Sequence, residues 1–588
     1  MLHASRVLLM NMGRSSVSYY LIHVSKQHIE QHNGKYSWAC CVVDTPSFDQ
    51  EAWFEVVLLR SKIITETVVG NVSAIVAAAL GVFFNEAGHD MQKAGIQVTL
   101  KNGTSHHLFF KLGMVLADEA ALHAVYCCKG SGGLKPCMLC QNIFNQKLRP
   151  EIIEGDRSGW AQPHTCNDYA KLVLHTSSSI RAILNRLSTA QANMTKGEFQ
   201  ELEIRFGWNL IPNSLLMNIS LFSICCPSEV LLYDWMHVLF VSGVFNVHMG
   251  YLMVAMKEFG ITYTMLHEYT LQFTWPFLVG NGARDVMCPQ RAKSSWKDGS
   301  LKATASEGLS LVPVLATFFH EVERKTTNLQ LSQHCTCFGA LVRIIETIQK
   351  STRAVIDCDL LQRYISTYMS SFEALYSRDA MPIKFHLLVH FPAFMRKWGS
   401  LPNCFALERK HKTPKRFGNA MQSTTQSWDA SILREVTSRH IATLTADDCQ
   451  HFCVLPGLSR PQPVNRKLNS ELQNAFGAAP EVCFSTSKVA RINEYERCAQ
   501  GDVVRVTVND EVVVGRILLH LSVKIGEETL CFTSLERWEL VENCSRFSRW
   551  RKNAHVEACF CKLADIQCVL IWSASGNTIR TLKPLHGS

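Results

Sequence analysis

The chain has 588 residues, 47% of them hydrophobic and 19% charged, and its net charge of +9 comes from 59 basic against 50 acidic residues. That balance describes a globular chain with enough apolar residues for a sizeable core in several domains or in one domain with a large insertion, and it argues against disorder. The charge is too even to name a partner, so only local clusters inform.

No stretch reaches the roughly 18 apolar residues expected of a membrane span, because VVGNVSAIVAAALGVFF is interrupted by Gly70 and Asn71. No membrane association is therefore expected. The 23 cysteines are scattered and no convincing signal peptide precedes them. A reducing, intracellular setting follows, with most thiols acting as small core residues.

Residues 1–35 carry no strong pattern and are read as an N-terminal segment. YSWACCVVD is a short apolar run ending on Asp44, and WFEVVLLRSKII (53–64) has the Val, Ile and Leu content of a buried strand, with a turn around Pro46 between them. NVSAIVAAALGVFFNE (71–86) predicts a helix capped by Asn71 and ending before Gly88. Asn102-Gly103 predicts a hairpin, after which Leu112, Met114, Val115 and Leu116 form a strand that delivers Asp118 to a sheet edge.

From 146 to 378 the texture is helical, and this segment is read as an α-helical insertion. Within it, 177–208 predicts two short helices with Thr195 and Glu198 at capping-box spacing. PSEVLLYDWMHVLFVSGVFNVHMGYLMVAMKEFG (227–260) is more apolar than a surface helix. Closing helices are expected over 379–445, a Pro-punctuated linker over 446–480 and, from alternation around the Asn509-Asp510 turn, a small SH3-like β-barrel of five or six strands over 481–588. The fold class is α/β: a mixed sheet in 36–145 interrupted by a helical insertion, plus an all-β C-terminal barrel.

Two kinds of metal chemistry are suggested. Cys137 and Cys140 form a Cys-x-x-Cys knuckle on a turn containing Gly130, Gly132, Gly133 and Pro136. Such a turn lets both sulfurs face one tetrahedral ion at about 2.3 Å. His386 and His390 stand four apart on a predicted helix, so both imidazoles share one face and can reach the same ion. Asp118 and, further on, Glu408 are carboxylates of the hard-oxygen type that magnesium or manganese prefers. Arg409, Lys410, Lys412, Lys415 and Arg416 make the dense basic cluster of the chain. It suits sequence-independent phosphate contact, and equally a solvated helix end or a nuclear-import signal.

Three stretches together carry a resemblance: LADEA followed by CMLC, YDWMHVLFVSGV, and HLLVHFPAFMRKWGSLPNCFALERKHK. Over about residues 36–420 the chain resembles CACTA-like (EnSpm-type) DDE transposases with an RNase H-like core, relatives of Transib transposases and the V(D)J recombinase. The resemblance implies an acidic triad of Asp44, Asp118 and Glu408, with Asp49 as the other candidate for the first acid. It implies a structural zinc at Cys137, Cys140, His386 and His390, and a D-x-M-H box at Asp234 to His237. Catalytic magnesium or manganese, DNA as substrate, a homo-oligomer holding two DNA ends, and a nuclear location follow from it.

Other readings stand beside these. Asp118 also fits a helix N-cap before EAALHAVY, the two histidines fit a satisfied core, Glu408 fits a solvated acid, and Asp234 with His237 fits a buried positioning pair. A transposase-derived scaffold without catalysis is the alternative function, and an unrelated cysteine-rich metal-binding protein is the third. The last predicts that the cysteine and histidine pairs never meet.

Overall fold

A computed structural model describes residues 6–12, 19–25, 54–60, 66–84, 90–99, 102–108, 111–130, 133–277, 279–280, 282–352, 354–420, 428–445, 453–463, 483–492, 497–508, 510–525, 528–552 and 559–585, with isolated residues at 64 and 470. Asp44, Asp49 and the strand expected over 36–44 lie outside the described residues. The chain is mixed α/β, with helix over about half its length and a curled antiparallel sheet at its C-terminal end. It divides into two compact units, 1–239 with 358–445, and 240–357 with 446–588. The segment expected as one helical insertion, 146–378, is thus shared between both units.

The first unit contains a five-stranded mixed sheet. Its strands are β1 (Arg6–Met12), β2 (Tyr19–Ser25), β3 (Phe54–Arg60), β4 (Lys111–Ala117) and β5 (Leu231–Tyr233), in the order β3-β1-β2-β4-β5. β1 and β2 correct the reading of 1–35 as a segment without pattern: RVLLMNM and YYLIHVS pair antiparallel, and β2 also pairs antiparallel with β4. β5 corrects the helical reading of 227–260. Its three residues are apolar among apolar neighbours, where periodicity alone cannot separate strand from helix. β4 and β5 are parallel, with Val115, Leu116 and Ala117 opposite Leu231, Leu232 and Tyr233.

Several helices follow their local signals. α1 runs Asn71–Phe84 and buries Ser73, whose hydroxyl donates to Val125 O and accepts from Leu215 N. α2, Glu119–Tyr126, begins immediately after β4. The helices Ser177–Gln191 and Lys196–Phe206 form as expected, the second with Thr195 and Glu198 in a reciprocal capping box. The Asn102-Gly103 signal is met by a hairpin of Ile96–Thr99 and Ser105–Leu108, though five residues connect Thr99 to Ser105 where the dipeptide suggests two.

After these come α3 (Trp235–Phe240), α4 (Ile383–Leu388), α5 (Phe391–Trp398) and α6 (Phe405–Ala420). The single helix expected to carry both histidines is two helices. Pro392 has no N–H for the Leu388 carbonyl and its ring crowds that carbonyl, so α4 stops at Leu388. His390, in αR conformation, is the residue before α5, which keeps its ring on the same side as that of His386.

In the second unit the helices Val244–Glu258 and Ala305–Lys325 both pack against Leu329–Lys350, and Ala305–Lys325 meets strand Thr578–Leu582 of a C-terminal sheet. Gly250 is required where the first of these meets the 299–300 backbone, since a Cβ there would lie 2.1 Å from Gly299 O. Among the described residues the sheet has ten strands and curls into a half-barrel, where five or six strands and a closed barrel were expected. Its two longest strands, Glu511–Ile525 and Glu528–Asn543, are joined out of register between Ile517 and Leu519. Such irregularities bend a strand, and here the pair contributes to three separate apolar clusters. Asn509 lies outside the described residues, and across the predicted 509–510 turn Val508 pairs with Glu511, with Asp510 at a φ of 62°. The expected linker is partly tied to the sheet, as Gln462–Pro463 pairs with Cys483–Phe484, and Val454 bridges Arg491 of a separate two-stranded sheet.

Ion pairs Glu321–Arg580 and Glu346–Arg546 join helices to sheet within this unit. Thr274 N donates to Trp572 O at 2.6 Å, and Phe277 N donates to Asp502 Oδ1 at 2.8 Å. Among the described residues one stretch, Trp235–Glu258, is long and apolar enough to cross a membrane, contrary to the expectation from sequence, but 67% of its most apolar part is buried within the protein. The ordinary explanation is a core segment, and its interior residues carry the packing: Phe245, Met249, Leu252, Met253 and Met256 are fully buried.

Candidate metal centre and acidic edge

The Cys-x-x-Cys knuckle and the two histidines meet. Cys137 Sγ lies 3.4 Å from His390 Nε2, Cys140 Sγ lies 3.5 Å from His390 Nε2 and 3.6 Å from His386 Nε2, and the two Nε2 atoms are 3.2 Å apart. A tetrahedral zinc with sulfur at about 2.3 Å and nitrogen at about 2.0–2.1 Å places its ligands roughly 3.3–3.8 Å from one another. The measured separations match the edges of that tetrahedron. All four residues are buried and all four ligand atoms fall within 4.8 Å of each other. The group is therefore a Cys2His2 constellation consistent with zinc, and the reading in which the pairs never meet is excluded.

Local structure explains the fit. Gly130 takes a φ of 72° with the His123 ring directly beneath it, leaving no room for a Cβ, which would sit 2.5 Å from His123 Nδ1. Leu139 N–H donates to Cys137 Sγ, and Cys140 is bridged to Leu174. Buried Asn142 locks the loop behind: its amide donates to Trp160 O and Lys171 O and its oxygen accepts from Val173 N. Burial opposes ionisation of Cys137, but the Cys140 thiol and both histidines hold its pKa well below the usual thiol value; burial and the Cys137 charge push Cys140 up. Burial lowers His386, favouring the neutral imidazole that a metal ligand must be.

The second group forms at the carboxyl edge of the sheet. β4 and β5 are parallel and in register, so the residues that follow them, Asp118 and Asp234, leave from the same edge. Asp118 realises its simpler reading: Oδ1 caps α2 by accepting from Ala121 N at 2.6 Å. Burial raises its pKa, partly offset by that bond and by His237.

Asp234 has no exposed side-chain surface. Oδ1 accepts from Met236 N at 3.2 Å and Cys404 N at 3.1 Å, and Oδ2 accepts from His237 N at 3.2 Å and bonds His237 Nδ1. The carboxylate is saturated by protein donors. It thereby fixes the start of α6 and sets the tautomer of His237, whose Nε2 faces Glu408 Oε1 at 3.7 Å. Asp234, His237 and Cys404 bring ligand atoms within 4.8 Å of one another, but with both carboxylate oxygens used they form a hydrogen-bonded network. Burial works against charge on His237, yet the bond and field of Asp234, with Asp118 and Glu408, raise its pKa overall.

Glu408, 36% exposed at its side chain, is pushed up by burial and held back by His237 and by Lys415 and Lys412 on its own helix. Asp118 and Glu408 both act on Asp234, His237 and Cys404, but among the described residues neither joins a cluster of three metal-ligand atoms. Arg409, Lys412, Lys415 and Arg416 are exposed on α6, whereas the side chain of Lys410 lies outside the described residues. Trp235 and Met236 are core, with Trp235 Nε1 donating to Leu401 O.

Three participants escaped sequence reading. Tyr233 ends β5 and sets its hydroxyl 3.7 Å from Cys137 Sγ and 3.4 Å from Met138 N. Glu119 carries a buried Oε1 without a hydrogen-bond partner and feels Lys384, Cys137 and Asp118. Lys384 donates to His237 O at 3.2 Å. Glu119, as a second acid beside Asp118, and Tyr233, as the first residue of YDWMHVLFVSGV, left a trace in the sequence, and Lys384 left none. Compared with protein-family models and with curated proteins, the chain matches none.

Proposed function

We propose that this chain is a transposase-type DNA nuclease and strand transferase of the CACTA-like DDE class, with an RNase H-like core stiffened by a zinc clamp. The observation that carries the reading is the convergence in one unit of two elements distant in sequence. The segment 118–140 supplies Asp118 and two thiols, and the segment 386–408 supplies two imidazoles and Glu408, at the edge made by parallel β4 and β5. Phosphoryl transfer at DNA exchanges one oxygen for another at phosphorus, and divalent magnesium or manganese supplies activation of the entering oxygen and stabilisation of the leaving one. Asp118 and Glu408 are the described oxygen donors that suit such ions, with Asp44 as the third acid of the proposal. Asp234 and His237 serve it by fixing the helix that carries Glu408. Lys412, Lys415 and Arg416, exposed on that helix, would contact the DNA backbone. A homo-oligomer acting in the nucleus belongs to the same reading.

A specific observation favours the second reading, a zinc-stabilised scaffold without catalysis. Asp118 spends one oxygen on a helix cap and, among the described residues, shares no three-ligand cluster with Glu408. The deciding experiment is Mn²⁺-dependent nicking of DNA by wild type, Asp118→Asn and Glu408→Gln, all with zinc content confirmed. Nicking lost in both variants at unchanged zinc content supports the nuclease. No nicking by zinc-loaded wild type under any condition leaves the scaffold.

A further inference from the structure

Tyr233 ends β5, opposite Ala117 of β4, and is 2% exposed. Its ring packs against His390, with centroids 6.2 Å apart, and against Phe394 at 6.0 Å. That packing fixes the ring and delivers the hydroxyl to the turn that holds the two thiols. There the oxygen accepts from Met138 N at 3.4 Å and lies 3.7 Å from Cys137 Sγ. A hydroxyl has one proton to give, and among the described residues the sulfur is the other atom that this hydroxyl bonds. A thiol that coordinates a metal ion has lost its own proton, so in the metal-bound centre the sulfur accepts and Tyr233 donates. Cys137 Sγ also accepts from Leu139 N at 3.4 Å, and two donors thus converge on one thiolate. Among the described residues no hydroxyl or backbone N–H reaches Cys140 Sγ, which meets the two imidazole nitrogens of the constellation.

We propose that the Tyr233 hydroxyl is a positioning group of the Cys2His2 centre: it donates to the Cys137 thiolate, orients that sulfur and takes up part of its charge. Outer partners of this kind orient a ligand and tune the metal it holds. The next residue is Asp234, whose Oδ1 accepts from Cys404 N at 3.1 Å. Two consecutive residues therefore tie the end of β5 first to the metal centre and then to the start of α6. The inference rests on the Cys2His2 centre and is independent of the nuclease reading.

The test replaces zinc by cobalt(II) in the full chain, because sulfur-to-cobalt charge-transfer bands report the charge on the thiolates. Tyr233→Phe keeps the ring and removes the hydroxyl. Tyr169→Phe is the control, since Tyr169 also meets His390 edge-on, at 6.3 Å, while its hydroxyl bonds neither sulfur among the described residues. In Tyr233→Phe the bands should move to lower energy, as a thiolate without its donor parts with an electron more readily. Zinc affinity, read by chelator competition, should fall about tenfold. 3-Fluorotyrosine installed at position 233 alone is a stronger donor and should move the bands to higher energy, which decides the matter even where Tyr233→Phe does not fold. Tyr169→Phe should leave the bands in place. Bands unmoved by both changes at position 233 overturn the proposal, and so do bands moved equally by Tyr169→Phe, the mark of a general disturbance of packing. A wild type that binds neither cobalt nor zinc removes the metal centre itself, and the role of the hydroxyl with it.

Discussion

Replacing Asp234 tests how the acidic edge is held. Its carboxylate is fully enclosed and accepts from Met236 N, His237 N, Cys404 N and His237 Nδ1. In Asp234→Asn the amide nitrogen must face one of the two donor pairs: turned toward Met236 and Cys404 it loses both bonds, and turned toward His237 it loses the His237 N bond and keeps the ring bond only if Nδ1 gives up its proton. Hydrogen bonds to a charged acceptor contribute about 1.5–3 kcal/mol each, and a stranded buried donor costs about 1–3 kcal/mol. Relief of the buried charge offsets part of this, leaving an expected loss of about 2–3 kcal/mol. Asp234→Ala strands all four donors and should cost about 4 kcal/mol. Denaturant unfolding with zinc loading held constant measures the loss, and amide exchange reads where it falls. The Cys404 amide should exchange faster, because α6 loses its tie to β5. The His237 pKa should also fall, since Asp234 is what raises it against burial. A stability change under about 0.5 kcal/mol in Asp234→Asn, or a protected Cys404 amide, would refute the claim that this carboxylate pins the helix bearing Glu408.

Other outcomes follow from the same geometry. Purified protein should carry one zinc per chain at the Cys2His2 group, and Cys137→Ser or His390→Ala should release it with a large fall in melting temperature, since ligation energy in such sites is folding energy of order 10 kcal/mol; metal analysis beside a melting curve checks both. Gly250→Ala should destabilise by about 1–3 kcal/mol, because the new Cβ meets the Gly299 carbonyl, a backbone group that cannot rotate away; full stability in the variant would argue against that close approach. Acid should weaken the second unit. Burial depresses His248 to about 3 and His520 to about 4, so the neutral rings favour folding, and their contribution is fully present above about 6.5 and lost as pH falls from there toward those values, at about 1.4 kcal/mol per pH unit for each group. Melting curves at pH 7 and 5 should separate, and His520→Gln should show the shallower dependence.

The sequence by itself determined what short-range chemistry fixes. The α1 helix, the Thr195 capping box, the hairpin around Asn102-Gly103 and the pairing of Val508 with Glu511 are each set by a few neighbouring residues, and each formed where its signal lay. The metal ligands were legible too, because Cys-x-x-Cys and His-xxx-His spacings prepare each half of the site locally. Tertiary structure decided what depends on partners far along the chain. Leu231–Tyr233 is a strand because Val115–Ala117 lies beside it, and an apolar run carries no mark of that pairing. Asp234 looked like half of an i, i+3 pair and proved to be the anchor for Cys404, a residue 170 positions away. Pro392 divided the histidine helix without parting the rings. Lys384 had no motif at all and Tyr233 was only the first letter of one, since a lysine's amine or a tyrosine's hydroxyl gains its meaning only from the groups that folding brings to it.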